Sequence, residues 1–166
     1  TPLLVKNDDR TAKTFSIAMQ IAQEIGILKQ GDLVVQTAGT LTGISGSTDL
    51  IKVGIVRKVV TRGISIGEIG VTGKARNIKT NLDLSLISPG EILFVPKEIL
   101  MDLPYSKEIT GIVTDENVDE CYKVYKQKNI KVSTICNLSN IENNITNGDL
   151  ITLQLNEGVV YMGQIE

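Results

Sequence analysis

Histidine is absent from all 166 residues. That removes imidazole acid–base catalysis, phosphohistidine chemistry and the commonest zinc ligand. Tryptophan is absent too. The aromatic set is Phe15, Phe94, Tyr105, Tyr122, Tyr125 and Tyr161, which leaves little for stacking on nucleic-acid bases. Basic residues do not predominate: 17 Lys and Arg face 19 Asp and Glu, a net charge of -2. No nucleic-acid partner is expected from that balance. No apolar run approaches the roughly 20 residues of a membrane helix, so no membrane partner is expected either. The opening "TPLLVKNDDR" is no signal peptide, because its apolar stretch is short and acidic residues follow at once. It lacks an initiator Met, so the chain is expected to be cut from something longer. Cys121 and Cys136 have no metal-site spacing and read as small buried hydrophobes of a reducing cytosol. The expected location is therefore cytoplasmic, and the sequons at 137–139 and 144–146 carry no glycosylation meaning.

What is present is an ordinary globular balance, 42% hydrophobic and 22% charged. "PLLVK" (2–6) reads as a short buried strand. From 7 to 32 the apolar period turns helical, with Phe15, Ala18, Met19, Ala22 and Ile25 on one face. Asp8 or Asp9 can cap that helix, and Gly26 can end it in a left-handed turn. "GDLVVQT" (31–37) and "LIKVGIV" (50–56) are strands on either side of the loop "TGISGSTD" (42–49). From residue 57 short β-like runs are punctuated by Gly63, Gly67, Gly70 and Gly73. That spacing is not the dinucleotide fingerprint. Further strands are expected at 91–96, 109–115, 130–135, 149–155 and 158–163. A helical turn or two lies near 97–108, and "NVDECYKVYKQKN" (117–129) is an amphipathic helix. The fold class expected is α/β in two parts, residues 1–56 and residues 57–166. One phrase occurs twice, "QGDLVV" (30–35) and "NGDLIT" (147–152). Both are Gly-Asp turns delivering a strand into a core.

Two glycines and four hydroxyl residues in eight positions equip the 42–49 loop to wrap a phosphate with backbone N–H and O–H donors. The same composition describes a plain turn between strands. The segment "GDLVVQTAGTLTGISGSTDLIKV" (31–53) resembles the end of the pyruvate kinase C-terminal domain. That family reads GDLVV-x-TAG, a variable loop, then SG-[ST]-T-[ND]-LIKV. Gly31, Asp32, Thr37, Ala38, Gly39, Ser45, Gly46, Thr48, Leu50 and Lys52 all fall in register, and the likeness runs over residues 1–56. The resemblance implies that Ser45, Gly46, Ser47 and Thr48 belong to an allosteric pocket for a phosphorylated metabolite. The family's second pocket-forming loop would precede Thr1. It further implies a homodimer in which the strand Leu50 to Val56 meets its two-fold mate, which requires antiparallel pairing.

Residues 57–166 resemble the extra C-terminal segment of some bacterial pyruvate kinases. That segment is similar to the swivelling phosphohistidine domain of phosphoenolpyruvate-utilising enzymes. The matching pieces are "RGISIGEIGVTGKA", "GEILFVPKE", "GIVTDE" and "NIENNITNGDLITLQLNEGVVYMG". Where such domains carry G-G-L-T-S-H-A, this chain reads "TDENVDECYKVYKQKNIKV". It is two residues shorter there and has no glycine pair and no histidine. Counting back from Ile130 puts Glu120 in the histidine's place.

Glu120 as a fixed charge standing in for phosphate competes with a simpler role. Asn117 with Glu120 three residues on makes a capping box. Val118, Cys121, Tyr122 and Tyr125 then form the core face, and Asp119 can pair with Lys123. The acidic cluster Asp115, Glu116, Asp119 and Glu120 suits a helix start without any metal, and no metal or cofactor is expected. Catalysis is not expected of this chain: a (β/α)₈ barrel alone takes about 250 residues. The sequence therefore points to a non-catalytic regulatory and assembly portion of a pyruvate kinase. A free-standing metabolite-binding module of the same ancestry is the first rival. A phosphocarrier domain is the second, disfavoured by the missing histidine.

Overall fold

In the computed structural model the described residues are 11–39, 48–105, 108–139 and 145–165. The expected strand 2–6 and the caps Asp8 and Asp9 lie outside them. The chain divides into two compact units, Thr1–Lys58 and Val59–Glu166. Both are mixed α/β.

In the first unit, α1 (Thr11–Glu24) is followed by β1 (Leu33–Ala38) and β2 (Leu50–Ile55), which pair antiparallel. Phe15 is buried, and its carbonyl accepts from Gln36 Nε2 at 3.0 Å, tying α1 to β1. Ala18, Met19 and Ala22 are half-buried on the same face. Ile25 is not part of it. The helix stops at Glu24, and the left-handed Gly26 (φ 76°) turns the chain away. Ile25 is left 51% exposed.

The two Gly-Asp turns share one geometry. Gly31 and Gly148 hold φ of 94° and 95°. Asp32 accepts from Lys29 N–H at 2.7 Å, and Asp149 from Thr146 N–H at 2.9 Å. Each carboxylate thus closes a turn three residues back, which is what Asp does in such turns. Their strands differ in fate. β9 (Leu150–Gln154) buries Ile151, Thr152 and Leu153. β1 instead turns Leu33, Val35 and Thr37 outward, contrary to the expectation of a core strand.

The second unit opens with β3 (Val59–Arg62) and β4 (Ile64–Ile66), followed by β5 (Val71–Asn77). A 3₁₀ helix (Asn81–Leu86), β6 (Glu91–Val95) and α2 (Lys97–Leu100) come next. β7 (Gly111–Thr114), α3 (Val118–Lys128), β8 (Ser133–Cys136), β9 and β10 (Val159–Met162) complete it. The strand order is β3-β10-β9-β5-β6-β7-β8-β4. β5 through β8 run parallel and are joined by the helical connections; the other pairings are antiparallel. β3 and β4 stand at opposite ends of this order yet are separated by Gly63 alone. They are one bent strand, so among the described residues the ladder closes into a barrel without an open edge.

Burial follows from closure. Every residue of β6 is buried, as parallel strands covered on both faces require. Ile92 and Phe94 join Val113, Ile135, Ile151, Leu153 and Val160 in the interior cluster. Leu93 and Val95 alternate outward and pack with Ile112, Cys121, Val124 and Tyr125 beneath the helices. An ion pair joins two strands of this frame. Arg76 Nε and Nη2 grip both Glu91 oxygens at 2.6 Å, bracing β5 against β6. Burial pushes the Glu91 carboxyl up, but Arg76 and the Ser88 N–H outweigh it and hold it below its ordinary range.

Candidate functional site

The first candidate is the loop joining β1 to β2. Ser45, Gly46 and Ser47 lie outside the described residues; Thr48 is described and exposed. Beside it the Asp49 N–H donates to Ala38 O at 3.2 Å, which closes the hairpin and sets Thr48 at its mouth. The cross-strand pairs Leu33–Ile55, Val35–Val53 and Thr37–Ile51 stack on one face. Their five aliphatic side chains are all more than half exposed.

The second candidate is the turn from β7 into α3, where Glu120 stands. Lys97 N–H donates to Asp115 Oδ1 at 2.8 Å, so this carboxylate serves the start of α2. Glu116 N–H donates to Thr114 Oγ1, and Asn137 N–H donates to Glu116 O at 2.7 Å. Asn117 caps α3, its Oδ1 accepting from Glu120 N–H at 2.9 Å. The expected box is only half made. Asn117 N–H donates to Glu116 Oε1, not to Glu120, because the neighbouring carboxylate reaches the N–H first. Glu120 instead accepts from Lys123, and that pair displaces the expected Asp119–Lys123 contact. The core face also differs. Tyr122 is 54% exposed, and Val124 is buried in its stead. Cys121, at the buried centre, shares its face with i+3 and i+4, which are Val124 and Tyr125.

These contacts separate two substitutions. Asn117→Ala is expected to cost about 1 kcal/mol, the usual worth of such a cap. Glu120→Ala is expected to change stability by less than about 0.5 kcal/mol, since its ion pair is exposed. Urea melts of the two variants compare them. Equal losses would mean that the Glu120 carboxylate does more than its contacts indicate.

Cys121 and Cys136 are both fully buried. The Cys136 side chain and burial push the Cys121 thiol up, while Cys136 Sγ donates to Ile64 O at 3.2 Å. Among the described residues no group of three His, Cys, Asp or Glu is placed to hold a metal. No described helix is long and apolar enough to cross a membrane.

A third feature was not legible in the sequence. A groove of about 960 Å³ opens between the β4–β5 turn and the far end of α3 with the segment entering β8. Ser133 Oγ donates to Ile69 O at 3.0 Å and joins the two walls. Tyr122, Lys126, Ile69 and Lys131 line it. The helical part could have been found from Tyr122 and Lys126 at i, i+4. Nothing local connects either to Ile69, more than fifty residues earlier in the chain.

Residues 1–54 match the family model of the pyruvate kinase alpha/beta domain. Pyruvate kinase 2 of Synechocystis sp. is 35% identical over 164 residues, covering 99% of this chain and 28% of that protein. The pyruvate kinase of Lactobacillus delbrueckii subsp. bulgaricus is 25% identical over 165 residues, with the same 99% and 28% coverage. The chain thus spans a little over a quarter of the length of these relatives, and the matches support a C-terminal pyruvate kinase portion. Among solved structures, the microcin C7 self immunity protein MccF in an inactive mutant apo state aligns at a TM-score of 0.43 and 9% identity. It covers 94% of this chain and 57% of its own. That likeness is too loose to bear on fold or function.

Proposed function

We propose that this chain is a non-catalytic regulatory and assembly portion of a pyruvate kinase, with its second unit a swivelling-type domain that no longer carries phosphate. The parent reaction is the glycolytic transfer of a phosphoryl group from phosphoenolpyruvate to ADP, in the cytoplasm. The observation that carries the reading is the start of α3. There Asn117 takes the Glu120 N–H, and the Asp119 and Glu120 carboxylates occupy the first turn. A helix start already capped and negatively charged repels a second anion instead of receiving one. The absence of histidine from the chain removes the usual phosphoryl acceptor at that point.

The regulatory half of the reading rests on the β1–β2 loop, with Ser45, Gly46, Ser47 and Thr48 holding a phosphorylated metabolite through hydroxyls and backbone N–H groups. The assembly half rests on β2 as the strand that meets a second copy. Incubating the chain with phosphoenolpyruvate, with and without ADP, is the test. The expected result is no pyruvate formed above buffer and no one-phosphoryl mass increase by intact-mass spectrometry. A stoichiometric phosphoryl adduct would overturn the reading in favour of a phosphocarrier.

A further inference from the structure

We propose that the groove between the β4–β5 turn and the end of α3 is a binding site for a small organic monophosphate that carries a flat ring. It uses none of residues 45–48 and is independent of the reading above. Three observations converge on this chemistry. The first is size: about 960 Å³ is at the upper end of the range for drug-sized or nucleotide-sized ligands.

The second is apolar surface presented from two elements. Ile69 is 75% exposed on the turn, and Tyr122 is 54% exposed on the helix. A tyrosine ring left in water is a ready stacking face. Tyr125, by contrast, is not available as a polar contact. It is buried, and its hydroxyl is hydrogen-bonded to Thr134 Oγ1 at 2.6 Å.

The third is charge. Lys126 and Lys131 both line the groove and are both exposed. Neither has an ion-pair partner among the described residues. They outnumber the one acidic lining residue, Glu68. The helix end beside them is already closed. Asn129, left-handed at φ 52°, donates its N–H to the carbonyls of Lys126 and Tyr125. Ile130 N–H donates to Tyr125 O at 3.0 Å. These bonds occupy the Tyr125 and Lys126 carbonyls, so the favourable charge for an anion comes from the two lysines.

Spacing joins the ring to the charge. Tyr122 and Lys126 are four residues apart on one helix, so they project from the same face about one turn, roughly 5.4 Å, apart. That separation suits a heterocycle linked through a sugar to a phosphate. The ring packs on Tyr122 and Ile69 while the phosphate reaches Lys126 and Lys131.

The test uses the 166-residue chain and three probes: adenosine monophosphate, adenosine and ribose 5-phosphate. Amide chemical-shift changes are followed by NMR as each is titrated. The monophosphate is expected to shift amides of residues 67–69 and 122–133 and to bind about 10-fold tighter than either half-molecule, a modest gain for two joined contacts. Tyr122→Leu and Lys126→Gln, both at exposed positions, are each expected to weaken it about 5-fold or more with the remaining spectrum unchanged. Shifts confined to other residues, or none at millimolar probe, would overturn the site. Equal affinity for ribose 5-phosphate would overturn the ring contact, and equal affinity for adenosine the phosphate contact.

Discussion

Ile55→Pro is expected to convert a homodimer of this chain to monomer while leaving its secondary structure in place. The reasoning begins at the hairpin. Val56 N–H donates to Asp32 O at 2.8 Å. In an antiparallel ladder bonded residues alternate with non-bonded ones. Gly54, Lys52 and Leu50 therefore bond inward to β1, and Ile51, Val53 and Ile55 aim their N–H groups at the other edge of β2. Among the described residues nothing pairs with that edge, since the sheet holds β1 and β2 alone. A β-branched edge strand with free donors is a template for a second chain. Pairing of like strands about a two-fold axis is antiparallel, so each donor meets an acceptor of the mate.

The exposed aliphatic face formed by Leu33, Val35, Ile51, Val53 and Ile55 adds a drive to associate. Proline at 55 deletes one outward donor and leaves the inward bonds intact. Lys52→Pro is a different experiment, because it deletes the N–H that faces Gln36 across the hairpin. It is expected to damage β1–β2 itself. Light scattering at low micromolar concentration reads the mass, and circular dichroism reads the fold. A wild-type chain that stays monomeric, or an Ile55→Pro chain that stays dimeric, would refute pairing through this edge.

Gly63→Val is expected to cost the second unit more than about 3 kcal/mol, beyond the ordinary range for overpacking, because backbone must move to admit it. Gly63 is the bend at which β3 becomes β4. A side chain there would run into the carbonyl oxygen of Cys136 and come within 2.8 Å of Ile135 Cγ2. On its other side Gly63 N–H donates to Gly158 O at 2.9 Å. Gly158 is equally constrained: its φ is 67°, and a Cβ there would strike Gly63 O. The two glycines let β8 and the β9–β10 turn approach the bent strand from opposite sides. Widening either approach opens the barrel and exposes the edges that closure had removed. Urea denaturation followed by circular dichroism measures the effect. A loss below about 1 kcal/mol, typical of a mild point mutation, would mean that the bend has room for a side chain.

The residues differ in how far their roles could be read without the fold. Asn117 was legible as a cap because a cap is local: its side chain bonds to an N–H three residues on. The end of α1 at Gly26 and the stop of β6 at Pro96 were legible for the same reason, a backbone constraint carried by one residue. Tyr122 was misread because an aromatic at helical spacing fits a core stripe as well as an exposed wall. Only the position of β8 beneath α3 selects Val124 over it. Glu120 was misread for a subtler reason. Glu116 competes for the same backbone N–H, and Lys123 offers a partner one turn on.

By itself the sequence determined the absence of imidazole chemistry, the mixed α/β class, the short-range caps and turns, and the register of residues 31–53 with a family motif. Each of these depends on residue identity or on neighbours a few positions apart. The tertiary structure decided which strands share a sheet, that β3 and β4 close it, which face of β1 and β2 is bare, and that Ile69 meets Tyr122 across a groove. Those outcomes rest on contacts between residues tens of positions apart. Their formation depends on how the whole chain shares out its buried surface and its backbone hydrogen bonds, and no local pattern records that division.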